Sequence, residues 1–469
     1  MYDHLNQYRC TIIRGKSQKE MDDFLPIYAK IINEICPCNH KEFEEKFNQL
    51  FQSYLTEKDK SKKTMDNHRT EIAGKLFGMY YFSEDGNVYE SERTQKFLED
   101  NDQPAFFKDI CYKMQFPNGS QKIGTTVKQR VEDKINIRSN AFLLKVLLLA
   151  EEKKINLNKK EIGYYILNSL DVLKGIAKPN EVLEQIIEDR ENHIVRNIIV
   201  PGKQSSYNWQ HIKEQLNYLE LANLISLIDG TIFLNNSEKE TISLFAADWN
   251  KEPEFNVYNY DLNDLESRKQ LQFDWDLYFS KISDIADKFE TKVSSLLSNK
   301  TDTKETTKDV PSSNKVNLVQ FGDEGEEVVF NYEKERVYKF NPRLVNKVLS
   351  LGKVKGLGYD IQSVIAEPGD ESEFVKYIEV KSTKRITSPD LSNSLWIDSV
   401  NLTRNEWTAA KQHKDFYYIY RVYFTREGIN IYILKNPAAK FERNEIGVTP
   451  INYRLEFSGK SVDSYLKNV

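Results

Sequence analysis

Asp360, Glu379 and Lys381 set the chemical question. Asp360 stands in "GLGYDIQSV", and eighteen residues separate it from Glu379 in "KYIEVKSTKR", where Lys381 follows two positions on. Side chains of a strand alternate between faces, so Tyr377, Glu379 and Lys381 share one face while Ile378, Val380 and Ser382 share the other. Two carboxylates on adjacent strands supply the oxygen ligands that a hard divalent cation, Mg2+ or Mn2+, prefers. A lysine beside them can position or help deprotonate an attacking water and offset phosphate charge. The set D-x18-E-x-K therefore suggests metal-assisted phosphodiester hydrolysis, with Asp360, Glu379 and the carbonyl of Val380 as metal ligands. Taken alone, Glu379 and Lys381 also fit a surface ion pair.

More acids arrive from upstream. In "GDEGEEVVFNYEKERVYKF", Gly322 to Phe340, the residues Glu326, Val329, Phe330, Glu333 and Val337 recur at helical spacing, so two glutamates share the apolar stripe. A core-facing carboxylate is costly unless something pairs with it. Glu326 or Glu333 is thus a candidate to bind the cation directly or through water. The strand holding Asp360 is entered through Gly356 and Gly358 and joined to the next by "AEPGDES". Further on, Thr403 and Glu406 form a capping box that opens a helix, which leads into the strand-like run Phe416 to Phe424.

The rest of the chain bounds the answer. At 469 residues several domains are expected. A net charge of −5 means that a nucleic-acid partner must be argued from local basic surfaces. The most apolar run, Ala141 to Ala150, holds a lysine and falls short of the roughly 20 residues that span a bilayer. No secretory leader is read at the start, and a reducing cytoplasmic location is expected. Cys36, Cys38 and His40 in "CPCNH" raise a metal question, but no second cysteine pair completes a structural zinc site. There is no G-x-x-x-x-G-K-[ST] loop, hence no sign of a nucleotide-driven motor.

Ser298 to Asn317 lacks aromatics, is rich in Lys, Thr, Ser and Asp, and reads as a tether. Four segments are expected: 1–140 and 141–297 for nucleic-acid recognition, a linker at 298–317, and a catalytic domain at 318–469. Within the first two, His68 to Asp102 and Trp209 to Phe245 repeat one plan of helix, apolar run, turn (Asp85-Gly86-Asn87 or Asp229-Gly230), strand and helix. That order predicts tandem winged-helix units, although helix-plus-hairpin units also serve protein contacts. Five basic residues against two acids between Gln121 and Arg138, namely Lys122, Lys128, Arg130, Lys134 and Arg138, make a candidate phosphate-facing surface. Arg69 and Lys75 are candidates for the same role. A solvated helix face is the plain alternative.

Residues from Gly322 to about Tyr432 resemble the NO VEIN C-terminal family of PD-(D/E)XK-like domains, through "GEEVVFNYEKERV", "GLGYDI", "YIEVKST" and "NEWTAAKQHKDFYYIYRVY". The resemblance implies a restriction-endonuclease-like α/β domain around a central mixed sheet, with Asp360, Glu379 and Lys381 in its active site. Residues of roughly 65 to 245, above all "FFKDICYKMQFPNG", are similar to the recognition part of AlwI-type restriction and nicking endonucleases. Together these imply a mainly α recognition region joined to a nuclease. The expected function is a type II site-specific deoxyribonuclease that cuts double-stranded DNA beside its site. A homodimer is expected at least during cleavage, with a cognate methyltransferase as functional partner and no membrane. The alternative is a DNA-binding defence or regulatory protein whose nuclease-like domain serves as scaffold or reads modified DNA.

Overall fold

Short polar side chains fix where the helices begin. Ser17, Asn39, Ser61 and Ser91 each accept a hydrogen bond from the backbone N–H three residues on, closing a donor that the first turn leaves open. The computed structural model describes residues 12–56, 59–198, 204–299, 324–354, 356–367, 373–449 and 454–467. They fall into two compact units, Met1–Ser295 and Leu296–Val469. From residue 300 to its end, the expected tether lies outside the described residues.

The first unit runs twice through one order of elements. Helix Gln18–Ile35, strand Cys38–Asn39, helix His40–Phe51 and helical segments from Lys62 to Leu76 precede the hairpin Tyr80–Phe82 and Asn87–Glu90. Helix Ser139–Glu152, strand Leu157–Asn158, helical segments and the long helix Gln204–Leu221 precede the hairpin Ile225–Ile228 and Thr231–Leu234. In both, the short early strand pairs antiparallel with the second hairpin strand, giving a three-stranded sheet. Both turns use the left-handed region, at Gly86 (φ 80°) and at Asp229 and Gly230 (φ 49° and 82°), as the D-G pairs require. The apolar run at 141–150 lies in helix Ser139–Glu152, whose Phe142, Leu143, Leu144, Val146 and Leu147 are buried. Among the described residues no helix is long and apolar enough to cross a membrane.

In the second unit, elements are numbered from its start. Helix α1 (Glu324–Phe340) is followed by β1 (Leu349–Ser350), β2 (Ile361–Val364), β3 (Val375–Lys384) and β4 (Asp398–Asn401). Then come α2 (Arg404–His413), β5 (Tyr417–Thr425), β6 (Gly428–Lys435), α3 (Pro437–Glu442), β7 (Gly447–Thr449), β8 (Arg454–Phe457) and β9 (Ser464–Lys467). A six-stranded mixed sheet has the order β9-β6-β5-β3-β2-β1. Only β3 and β5 are parallel within it, with Glu379 opposite Ile419 and Lys381 opposite Arg421. A small antiparallel sheet, β4-β8-β7, stands apart from it.

Register assigns each face its helix. Tyr417, Ile419, Tyr423, Trp407, Ala409 and Ala410 share one apolar cluster, so α2 covers the face that carries Glu379 and Lys381. On the other face, Lys376 of β3 and Tyr420 of β5 meet Glu333 of α1, while Lys384 meets Glu324. The parallel β3–β5 pair, fully buried along β5, is the rigid centre on which the site rests.

Candidate active site

Asp360 precedes β2 and is tied on three sides. Its N–H donates to the Ile378 carbonyl (2.9 Å), its carbonyl accepts from the Leu351 N–H (2.7 Å), and its carboxylate accepts from the Val380 N–H (2.8 Å). The loop entering it crosses the first turn of α2. Gly358 has φ 77°, and a Cβ there would stand 2.5 Å from the Asn405 carbonyl oxygen, so only glycine fits the crossing. Tyr417 donates its hydroxyl to the Gly358 carbonyl at 2.8 Å and pins the loop to β5.

Strand alternation turns Glu379 and Lys381 into this corner. Glu379 is 2% exposed. The Lys381 ammonium lies 2.6 Å from Glu379 Oε1 and 3.1 Å from Oε2 of Glu406, in the first turn of α2. Burial pushes the Glu379 carboxyl well up, Lys381 opposes this, and the charges of Asp360 and Glu406 add to the rise. For Lys381, burial favours the neutral amine, but Glu379, Glu406 and Asp360 outweigh it and hold the group as an ammonium. Three carboxylates thus face one ammonium. The corner is rich in carboxylate oxygens, which suits a hard divalent cation in kind. In this arrangement the lysine bridges two of the acids, and among the described residues no group of three or more His, Cys, Asp or Glu is poised to hold a metal ion.

The structure brings Asp360, Glu379, Val380 and Lys381 together and separates Glu333 from them. Contrary to the expectation that it could serve the cation, Glu333 lies on the opposite sheet face, fully buried. It accepts from Arg336 (2.6 Å), Tyr420 (2.6 Å), Ser363 (2.7 Å) and Lys376 (3.2 Å). The apolar stripe was real, but its charge is answered by β3 and β5. Glu326 sits in the first turn of α1 with its carboxylate against Gly352, next to the Leu351 that holds Asp360. Glu406 is the acid that sequence reasoning took only for a cap. Its signal was the capping box itself, which fixes that carboxylate at the start of the helix packed over Lys381.

Three of the seven basic candidates are also corrected. Arg69 is buried against Glu44 (2.7 Å), Asp66 (2.9 Å) and Asn48 (2.7 Å). Arg130 is buried with its guanidinium 4.7 Å from the Phe116 ring centre. Arg138 is buried over the Tyr112 ring, facing Asp248 (3.3 Å) and Glu254 (3.2 Å). Long stems that lie along aromatic rings look like surface charges in a sequence. Lys122 and Lys134 are exposed, Lys75 pairs with Glu71 (2.7 Å), and Lys128 donates to Asn263 (2.8 Å). Arg138→Ala is therefore expected to destabilise the first unit by roughly 3 kcal/mol, since Asp248 is deprived of a buried partner. Chemical denaturation of the full chain checks this, and an unchanged midpoint would return Arg138 to the surface set. Of the "CPCNH" residues, Cys36 and Cys38 are free thiols, the Cys36 thiol is pushed up by burial, and His40 meets the Phe82 ring edge-on at 5.1 Å.

Comparison with known proteins adds the following. Residues 2–276 match the family described as restriction endonuclease BpuJI, N terminal, where the sequence had suggested an AlwI-type recognition region. Residues 325–434 match the family described as Protein NO VEIN, C-terminal. Among solved structures, a similar one is the crystal structure of pyrene- and phenanthrene-modified DNA in complex with the BpuJ1 endonuclease binding domain. It is 51% identical, with a TM-score of 0.57, and the match covers 60% of this chain and 100% of that one. No curated protein matches.

Proposed function

Because the chain belongs to the family of the restriction endonuclease BpuJI N-terminal region, we propose that it is a type II site-specific deoxyribonuclease that binds double-stranded DNA through its first unit and cuts with its second. The observation that carries the reading is the corner where Asp360, Glu379 and Lys381 converge. The helix–hairpin modules of the first unit are read as tandem winged helices. The solved relative, a binding domain in complex with DNA, supports DNA binding by this unit. The order α1, the main-sheet strands β1, β2 and β3, α2 and β5, with β4 in the small sheet, supports reading the second unit as a PD-(D/E)XK nuclease core.

In this reading Asp360 and Glu379 would hold Mg2+ or Mn2+. The Val380 carbonyl would join them, since on a strand a residue's carbonyl points to the same side as its N–H, here the one bound to Asp360. When bound, such a cation would supply Lewis acidity toward the phosphate and lower the pKa of water. Lys381, held charged, donates to a phosphate oxygen and offsets the charge that builds up as water adds to phosphorus and one ester P–O bond breaks. Tyr417 keeps the Asp360 loop in place through Gly358. One site cuts one strand, so double-strand cleavage needs two copies at the DNA.

Mixed-sequence DNA incubated with Mg2+ is expected to give discrete fragments, and EDTA is expected to abolish them. Asp360→Ala and Lys381→Ala should do the same with metal present, and persistent cutting by either would sink the site. A second reading, a DNA reader with a silent nuclease-like unit, is favoured by the lysine that already bridges two acids. Tight binding without cutting under Mg2+ and Mn2+ would establish it. For the DNA face, exposed Lys122 and Lys134 remain with the partly exposed Lys75 and Lys128. Removing Lys122 and Lys134 together should flatten the dependence of log K on log salt by roughly 0.9 for each phosphate that is no longer neutralised. Fluorescence anisotropy across a salt series measures it, and an unchanged slope would remove both from the interface.

A further inference from the structure

We propose that Glu406 is a positioning residue for Lys381, a clamp that fixes the ammonium at the corner whether or not Glu379 is engaged elsewhere; this rests on the nuclease reading above. Glu406 Oε2 accepts the Thr403 N–H at 2.9 Å, and Thr403 Oγ1 accepts the Glu406 N–H at 3.3 Å, so the carboxylate is locked to the start of α2. The same Oε2 lies 3.1 Å from Lys381 Nζ. Its side chain is only 13% exposed.

The need for a second acid follows from the first. In this structure Glu379 both pairs with Lys381 and belongs to the oxygen set that would take a cation. A carboxylate drawn to a cation gives less to its ammonium neighbour, and an unbranched lysine on a four-carbon stem would then wander. Glu406 is held by helix capping, independently of Glu379, and reaches the same nitrogen. A lysine held by two carboxylates keeps its place when one lets go. Pre-organised charge of this kind is what a transition-state stabiliser needs.

The experiment uses the full chain and Glu406→Gln, because glutamine still completes a capping box while removing the charge. Thr403→Ala is the companion variant, which weakens the cap and leaves the carboxylate. In metal-free protein, labelling of Lys381 by an amine-reactive reagent, read by peptide mass spectrometry, is expected to rise severalfold in Glu406→Gln relative to other lysines. With Mg2+ and DNA, kcat is expected to fall about 10–100-fold with KM within twofold. Unchanged labelling overturns the clamp, as does an equal rise in Thr403→Ala, which would make the effect one of helix capping. If the wild-type protein cuts nothing, the nuclease reading fails, while the labelling result still decides the clamp.

Discussion

Glu379→Gln is expected to lower DNA cleavage by roughly 10³-fold while leaving the protein folded and its DNA affinity unchanged. The side chain sits 2% exposed at the centre of the corner, 2.6 Å from Lys381, and burial first, then Asp360 and Glu406, push its carboxyl up. Glutamine keeps the shape and removes the charge that burial, Asp360 and Glu406 all oppose. Loss of activity is therefore expected without loss of stability, because removing one charge from an overcrowded acidic cluster relieves repulsion. In metal-free buffer the variant should melt no lower than the wild type, and Mg2+ should raise the melting temperature of the wild type only, since ligand binding to the native state stabilises it by mass action. Thermal unfolding with and without Mg2+, beside a single-turnover cleavage assay, reads both. A variant that melts lower and cuts in proportion to its folded fraction would make Glu379 a structural residue.

What the sequence disclosed and what it hid follow from the range of each interaction. Local signals were legible. The D-G turns, Ser91 as the start of a helix, the Thr403–Glu406 cap and the period-two strand at 375–384 each depend on residues a few positions apart. The convergence of Asp360 and Glu379 was legible too, because a short antiparallel connection leaves few registers open. Hidden were the pairings set by long-range register. Nothing local reveals that β5 lies parallel to β3, which places Tyr420 and Lys376 beneath Glu333 and leaves Glu406 above Lys381. Arg130 and Arg138 misled for the same reason, since their burial is decided by Phe116 and by Tyr112, Asp248 and Glu254. The small sheet β4-β8-β7 is hard to read because its strands are short and β4 finds its partner β8 more than fifty residues on.

Glu333→Ala is expected to destabilise the second unit by roughly 3–5 kcal/mol, the largest stability effect among the variants considered. The carboxylate is fully buried and answers Lys376, Arg336, the Tyr420 hydroxyl and the Ser363 hydroxyl at once. Truncation leaves Lys376, itself 7% exposed, without its charge partner in the core, and that uncompensated charge outweighs any gain from relieved desolvation. Burial would push the Glu333 carboxyl up, but Lys376 and Arg336 dominate and hold it down, from its ordinary 4.5 to about 2. A depressed carboxyl contributes stability that is present above the unfolded value and lost as pH falls through the folded one. The wild-type second unit should therefore weaken between about pH 4.5 and 2, and Glu333→Ala should show a shallower decline over that window. Denaturant midpoints of the full chain across this range test it directly. Both Glu333→Ala and Glu379→Gln would lose cleavage, one because the scaffold opens and the other because the chemistry stops. Cleavage by Glu333→Ala should recover as temperature is lowered toward its stability maximum, and that by Glu379→Gln should not. If Glu333→Ala proves stable yet inactive at every temperature, its carboxylate acts in the reaction after all and the division between the two sheet faces is wrong.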